Sequence, residues 1–394
     1  MFEALSPLAA DPILGLSAAY REDTNPDKID LGVGVYKDES GTTPIMAAVK
    51  KAEQLRLESE TTKTYQSPAG DPEFDEAIAG LLLGDAAADY RSATVQAPGG
   101  TGGLRVAAGL VQRSNPAATV WLSQPTWANH RPVFAGAGLA VQEYPYYSAD
   151  AAGVDFDAMT TALRQLSSDD VVVLHGCCHN PTGADLTEAQ WQVVAGIAVE
   201  RGFVPLVDIA YQGFARGLDE DAFSVRCLAR QVPELIAVSS CSKNFGLYRE
   251  RTGAVCLISR DRQREDVALQ HLLNVARSTY SMPPAHGAAI VSTILHDQAL
   301  RQLWEEELTS MRDRMNACRN LLADRLAQQG VGAAFDHIRA QRGMFSYLGV
   351  SVEQVARLRE EYSIYMVNSG RINIAGVNQQ NLEYLADALA AVSR

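Results

Sequence analysis

Residues 171–208 read VVVLHGCCHNPTGADLTEAQWQVVAGIAVERGFVPLVD, and this stretch decides the fold. Its ends, 171–175 and 204–208, are short continuous apolar runs of the kind that form strands buried on both faces. Between them Thr187-Glu188-Ala189-Gln190 is a capping box opening a helix that reaches about Arg201. Strand, helix, strand is a crossover unit, and a crossover sets its two strands parallel. Further apolar runs fall at 93–96, 119–122, 140–144, 235–239 and 253–258, with helical patterns between them. The expectation is an α/β fold whose large domain holds a mostly parallel seven-stranded sheet between helices.

Beyond residue 258 the pattern changes to long helices at 262–277, 284–296 and 298–329, then short strands at 344–350 and 372–375 with helices at 352–362 and 379–391. Asp11-Pro12 and Thr43-Pro44 each place a capping side chain before a proline at the first helical position, the second opening a helix through about Ser59. Between them, residues 29–36 form an apolar stretch with Gly32 and Gly34, read as a strand leading into a ligand-facing loop. This organisation predicts an N-terminal arm and part of a small domain at 1–43, a large domain at 44–300, and the rest of a smaller α/β domain at 301–394.

The chain has 394 residues with 34 Lys and Arg against 47 Asp and Glu, a net charge of −13 that repels nucleic acid and anionic bilayers in the absence of a basic patch. No apolar run approaches the roughly 18–20 residues of a membrane span. Glu3 sits where a secretory signal carries positive charge, and the six cysteines show no regular spacing. A cytoplasmic location with free thiols is expected.

In open α/β sheets ligands bind beyond the carboxyl ends of the strands, so chemistry is sought just after each apolar run. Gly99-Gly100-Thr101-Gly102-Gly103 precedes a helix and offers backbone N–H groups to a phosphate, without the Lys-Ser/Thr that would make it a P-loop. His175 and His179 flank Cys177-Cys178, but Gly176 and Pro181 break any helix and no distal ligand pair matches, so no metal is expected. Lys243 follows a strand among three serines and a cysteine. A lysine there is either an idle exposed cation or a desolvated amine able to form a Schiff base with an aldehyde cofactor. Asp208, at the end of another strand, supplies the acidic partner that pyridoxal phosphate requires for its ring nitrogen.

Four segments, His175–Gly183, Asp208–Phe214, Ser239–Gly246 and Ser369–Asn373, together resemble the class I aspartate and aromatic amino acid aminotransferases, the bacterial aspartate enzymes above all, which are fold type I pyridoxal phosphate enzymes. The resemblance runs from Asp11 to the last helix. It implies that Lys243 holds the cofactor as an internal aldimine and shuttles the substrate proton, that Asp208 keeps the pyridine nitrogen protonated with His130 and His179 behind it, and that Asn180 and Tyr211 bond the phenolic oxygen. Trp127 would stack on the ring. Gly100, Thr101, Ser240 and Arg251 would bind the phosphate, joined by Tyr65 of a partner subunit. Arg371, assisted by the backbone near Gly34, would grip the substrate α-carboxylate, with Trp127 and Asn180 beside it, and Arg277 would reach across a homodimer interface to a distal carboxylate. The implied reaction is a ping-pong transfer from L-aspartate to 2-oxoglutarate. Tyrosine or phenylalanine transamination is the near alternative, and a non-catalytic binding or regulatory protein the distant one. Met282, Gly103 and Arg249 depart from the family pattern, which has Asn, Ala and Asn there.

Overall fold

The computed structural model describes residues 2–4, 6, 7, 12–84, 87 and 91–394. The chain divides into two compact units, 44–313 and 1–43 with 314–394. The first holds one seven-stranded sheet: β1 Ser92–Pro98, β2 Thr119–Gln124, β3 Ala140–Pro145, β4 Asp170–His175, β5 Val204–Ile209, β6 Leu235–Ser240 and β7 Thr252–Ile258. Their order is β1-β7-β6-β5-β4-β2-β3, with β7 antiparallel to both neighbours and every other pairing parallel. All seven apolar runs are strands of this sheet.

The helices that matter for the site are α1 Ala47–Ser59, α2 Gly99–Ser114, α3 Glu188–Arg201, α4 Arg262–Tyr280 and α5 Gln298–Gln328. The capping box at Thr187 and Gln190 starts α3 as expected, with both reciprocal hydrogen bonds formed, and Gly202 ends it in a left-handed conformation. Helix α2 packs Leu104, Ala107, Ala108 and Val111 into a core with Val120, Leu206, Val238 and Val255 of the sheet. A Cβ on Gly103 would lie 2.7 Å from Val238 Cγ1, so the branched side chain at 238 demands glycine where the family pattern has alanine.

The cap at Thr43-Pro44 is not formed. Helix α1 begins at Ala47 after Met46, which makes no side-chain cap, while the Thr43 hydroxyl donates to the Tyr36 carbonyl at 2.8 Å. The first turn of α1 is satisfied instead by Glu307 of α5, whose carboxylate accepts the N–H groups of Ala47 and Ala48 at 2.7 and 3.0 Å. Asp11, the other expected cap, lies outside the described residues.

In the second unit Ile29–Asp30 pairs parallel with Ile364–Tyr365, and Phe345–Tyr347 pairs antiparallel with Arg371–Asn373. These strands are shorter than the apolar runs suggest. Residues 31–36 form an irregular loop, and the chain turns into a 3-10 segment at Ile374–Gly376, where the Asn373 side chain accepts the Ala375 N–H. The division between the units falls at 313/314, inside α5.

Candidate active site

The sheet register builds the site. His175 is opposite Asp208, Asp208 is opposite Val238, and Ser240 is opposite Gly253, so the ends of β4, β5, β6 and the start of β7 meet in one row. At that row lies a cavity of about 190 Å³ lined by Gly100, Thr101, Trp127, His175, Asn180, Asp208, Ala210, Tyr211, Ser240, Ser242, Lys243 and Arg251. Nine of these are residues expected from the sequence to hold the cofactor. Larger cavities exist, one of about 730 Å³ at the opposite end of the strands, but none of those nine residues lines it.

Asp208 is buried, and its two oxygens have different fates. Oδ2 accepts from His130 Nε2 at 3.0 Å, whereas Oδ1 has no hydrogen-bond partner. Burial alone would raise the Asp208 pKa, but the hydrogen bond from His130, with the Lys243 charge nearby, outweighs it and holds the pKa below the ordinary carboxylate value. Behind Asp208 the bonds form a chain: His130 Nδ1 to Thr126 Oγ1 at 2.8 Å, then Thr126 Oγ1 to His175 Nε2 at 3.1 Å. Burial, with His130 nearby, drives the His175 pKa down to about 3, so its ring is neutral near pH 7. The Thr126 hydroxyl can donate to one imidazole while accepting from the other, and in either sense His130 Nε2–H donates to the ionised Asp208. His179 is likewise buried and neutral, bonded to Ser123 and Thr182 and stacked on Tyr146 at 4.1 Å. Thr126 is the position that the strand-end reading leaves unassigned, whereas His175, set aside as a metal ligand there and read as a structural or supporting histidine, takes that supporting place. The signal for Thr126 is its position four residues before His130, within reach of that imidazole.

Asn180 is placed by a clamp on the preceding chain: Asp185 accepts the N–H groups of Cys178 and His179, both at 2.8 Å. Tyr211 is placed by a similar device. The Asp221 carboxylate accepts the N–H groups of Gly213, Ala215 and Arg216 at 2.8–2.9 Å, fixing the loop that follows the tyrosine. Cys177, Cys178 and Asp221 are the one group of potential metal ligands that converges among the described residues, and the Asp221 oxygens there are committed to this loop.

Lys243 points into the cavity with its Nζ 5.4 Å from the centre of the Tyr211 ring. Burial lowers its pKa, the Asp208 charge acts the other way, and Arg251 adds to the depression. The opposite end of the cavity is an anion cradle. The first turn of α2 starts at Gly99, the Ser240 and Ser242 hydroxyls are 3.1 Å apart, and Arg251 is held by its Nη1 on the Tyr248 carbonyl at 2.8 Å. Gly99 has a φ of +67°, a conformation that favours glycine, and a Cβ there would lie 2.6 Å from Arg251 Nη2 and push the guanidinium aside.

The remaining expected residues are elsewhere. Tyr65 is 89% exposed and Arg277 is exposed at the end of α4, and neither lines the cavity. Their segments adjoin, because the Gln66 N–H donates to Met282 Sδ at 3.3 Å. Arg371 and Gly34 lie in the second unit. Arg371 is buried, with Nη2 donating to the Gly32 carbonyl at 2.7 Å and its guanidinium 4.2 Å over the Phe345 ring. Arg249 is exposed, and nothing in the structure explains its departure from the family pattern.

Residues 26–389 match the family described as aminotransferase class I and II. The chain belongs to this family. It is 50% identical to the aspartate aminotransferase of Salmonella typhi over 100% of both chains, and 48% identical to the aromatic-amino-acid aminotransferase of Pseudomonas aeruginosa over 99% of this chain and 98% of the relative. The aromatic-amino-acid aminotransferase of Burkholderia pseudomallei, solved covalently bound to pyridoxal phosphate, superposes with a TM-score of 0.98 at 45% identity, with 100% of each chain covered. This aminotransferase uses pyridoxal phosphate, and its cavity fits that group. The unpartnered Asp208 Oδ1 is an acceptor awaiting a donor, and the cradle of α2, Ser240 and Arg251 stands ready for a dianion.

Proposed function

We propose that the chain transfers the amino group of L-aspartate to 2-oxoglutarate, giving oxaloacetate and L-glutamate in a ping-pong cycle, as a cytoplasmic homodimer with shared sites. In this reading residues 44–300 form the cofactor-binding domain and the two terminal segments the small domain. The observation that carries the catalytic part is Asp208 Oδ1, buried and unpartnered in the same cavity as a depressed-pKa lysine.

When bound, pyridoxal phosphate supplies an electrophilic aldehyde and a ring that withdraws electrons from the substrate α-carbon. Gly100, Thr101, Ser240 and Arg251 would hold the phosphate, Trp127 would pack against the ring, and Asn180 and Tyr211 would donate to its phenolic oxygen. Asp208 keeps a proton on the ring nitrogen, and the His130–Thr126–His175 chain keeps Asp208 oriented and charged. The Lys243 amine, with its pKa lowered by burial, would take up the proton of the substrate α-carbon and hold it for return. Arg371 grips the α-carboxylate with the backbone near Gly34.

Preference for aspartate rests on Arg277. Its side chain makes no hydrogen bond or ion pair among the described residues, so on a chain of charge −13 it is a cation available to a distal carboxylate. In the shared-site reading it and Tyr65 serve the partner, consistent with their exposure outside the cavity of their own chain. Aromatic transamination is the second reading, supported by the adaptable thioether of Met282 beside that segment. Comparing kcat/KM for aspartate and phenylalanine with 2-oxoglutarate tests the choice. A ratio of at least about tenfold for aspartate, roughly 1.4 kcal/mol in barrier, is expected. Equal or reversed values would make the enzyme an aromatic aminotransferase.

A further inference from the structure

Asn373 ends the strand that carries Arg371, and it is completely buried. Its side-chain amide donates twice into the loop at 31–36, to the Val33 carbonyl at 2.7 Å and to the Val35 carbonyl at 2.6 Å. Its own N–H donates to the Leu31 carbonyl at 2.8 Å, and its Oδ1 is occupied by the Ala375 N–H at 3.1 Å. Every hydrogen of this amide group is thus spent on the two carbonyls that bracket Gly34.

Between those carbonyls the Val35 N–H closes on the Val33 carbonyl at 3.0 Å, a three-residue turn centred on Gly34. The Gly34 N–H itself meets no acceptor among the described residues. A Cβ on Gly34 would lie 2.9 Å from Phe345 Cζ, and the Arg371 guanidinium lies over the same ring at 4.2 Å. Gly34, Phe345 and Arg371 are therefore one packed set, and Arg371 adds its own bond to the Gly32 carbonyl at 2.7 Å.

We propose that Asn373 is a positioning residue for substrate binding: by holding the carbonyls of Val33 and Val35 it fixes the turn that presents the free Gly34 N–H alongside Arg371 to the substrate α-carboxylate. This rests on the reading of Arg371 as the α-carboxylate ligand. A turn of this kind without a second tie samples other conformations, and a carboxylate bound there would have to order it first. Asparagine is specific for the task, because one planar amide delivers two donors from a short stem and keeps an acceptor for the chain that follows.

The test is steady-state kinetics of Asn373→Asp, Asn373→Ser and Arg371→Lys with aspartate and with phenylalanine, beside thermal melts and holoenzyme absorption spectra. Aspartate at 373 keeps the shape and removes both donors, whereas serine keeps one. Asn373→Asp is expected to raise KM for both amino acids by the same factor, about tenfold or more for two lost hydrogen bonds, with kcat within about threefold and the spectrum unchanged. Asn373→Ser should fall between. A merely structural residue would lower melting temperature and the active fraction, hence apparent kcat, and leave KM alone. Unchanged KM in the Asn373 variants, or a change for one substrate only, overturns the proposal while a raised KM in Arg371→Lys keeps the reading of the site. Unchanged KM in Arg371→Lys would overturn the reading itself.

Discussion

Replacing Asp208 by asparagine isolates the charge from the geometry. The amide oxygen can still accept from His130 Nε2, now made at 3.0 Å by Oδ2, so the chain through Thr126 to His175 survives. The amide NH2 then occupies the place of Oδ1, which in the native protein is an unpartnered acceptor. A donor replaces an acceptor opposite the ring nitrogen, and the proton there loses its counter-charge. Removing one partner of a buried, hydrogen-bonded charge pair costs about 3–5 kcal/mol. At roughly 1.4 kcal/mol per decade, removal of the substrate α-proton should slow by about two to four decades. The assay is a single turnover: the holoenzyme is mixed rapidly with aspartate and followed by its visible absorbance, with bound cofactor quantified beforehand. A rate within about threefold of the native enzyme, some 0.7 kcal/mol, at full cofactor content would refute the role assigned to Asp208.

Three further outcomes are expected. Lys243→Ala and Arg277→Ala subunits, each inactive alone toward aspartate, should recover about a quarter of native activity after subunit exchange in equal amounts, because half of the dimers are mixed and each has one intact site; no recovery after verified exchange would place Arg277 in its own subunit's service. Asp75, buried beside Asp71, has its pKa raised from 3.8 to about 8, so the folded state holds a proton that the unfolded chain releases, and its destabilising effect grows as pH rises from about 4 to 8. Asp75→Asn should therefore stabilise the protein by an amount that increases over that window and then levels, with a gain on the order of 4 kcal/mol between denaturant melts at pH 5 and 9; a constant difference would show that the carboxyl is ionised in the fold. Gly103→Ala should cost about 1–3 kcal/mol by forcing a methyl onto Val238, and adding Val238→Ala should restore the loss in part, as a double-mutant cycle would reveal.

The sheet strands are legible in the sequence because a strand covered on both faces is an uninterrupted apolar run, and β4 to β7 are buried along nearly their whole length. The site is legible for the same reason: chemistry sits where each run stops, which singles out Asp208, Ser240 and Lys243 without any contact being known. The short strands of the terminal unit are harder, since 29–36 is as apolar as a true strand yet pairs over two residues only, the rest being held by Asn373 and Arg371. The start of α1 is illegible for a different reason. Thr43-Pro44 has the right local chemistry, but the groups that satisfy the helix come from Glu307, and no window of neighbouring residues contains that information. The residues behind Asp208 are intermediate, because His130 and Thr126 share one helical spacing while His175 comes from another strand.

The bond from Glu307 to the first turn of α1 also sets a timetable. The two ends of that contact are 260 residues apart, and α1 is only 13 residues long, too short to be a stable helix by itself in water. On the ribosome the chain emerges from its N-terminus, at about 5–20 residues per second, so α1 spends tens of seconds outside the tunnel before its cap has been synthesised. During that interval its apolar positions Ala48, Val49 and Ala52, which are buried in the finished protein, have no settled place. The helix Ala285–His296 on which α1 packs is itself made only shortly before Glu307, so packing surface and cap both reach α1 late in translation.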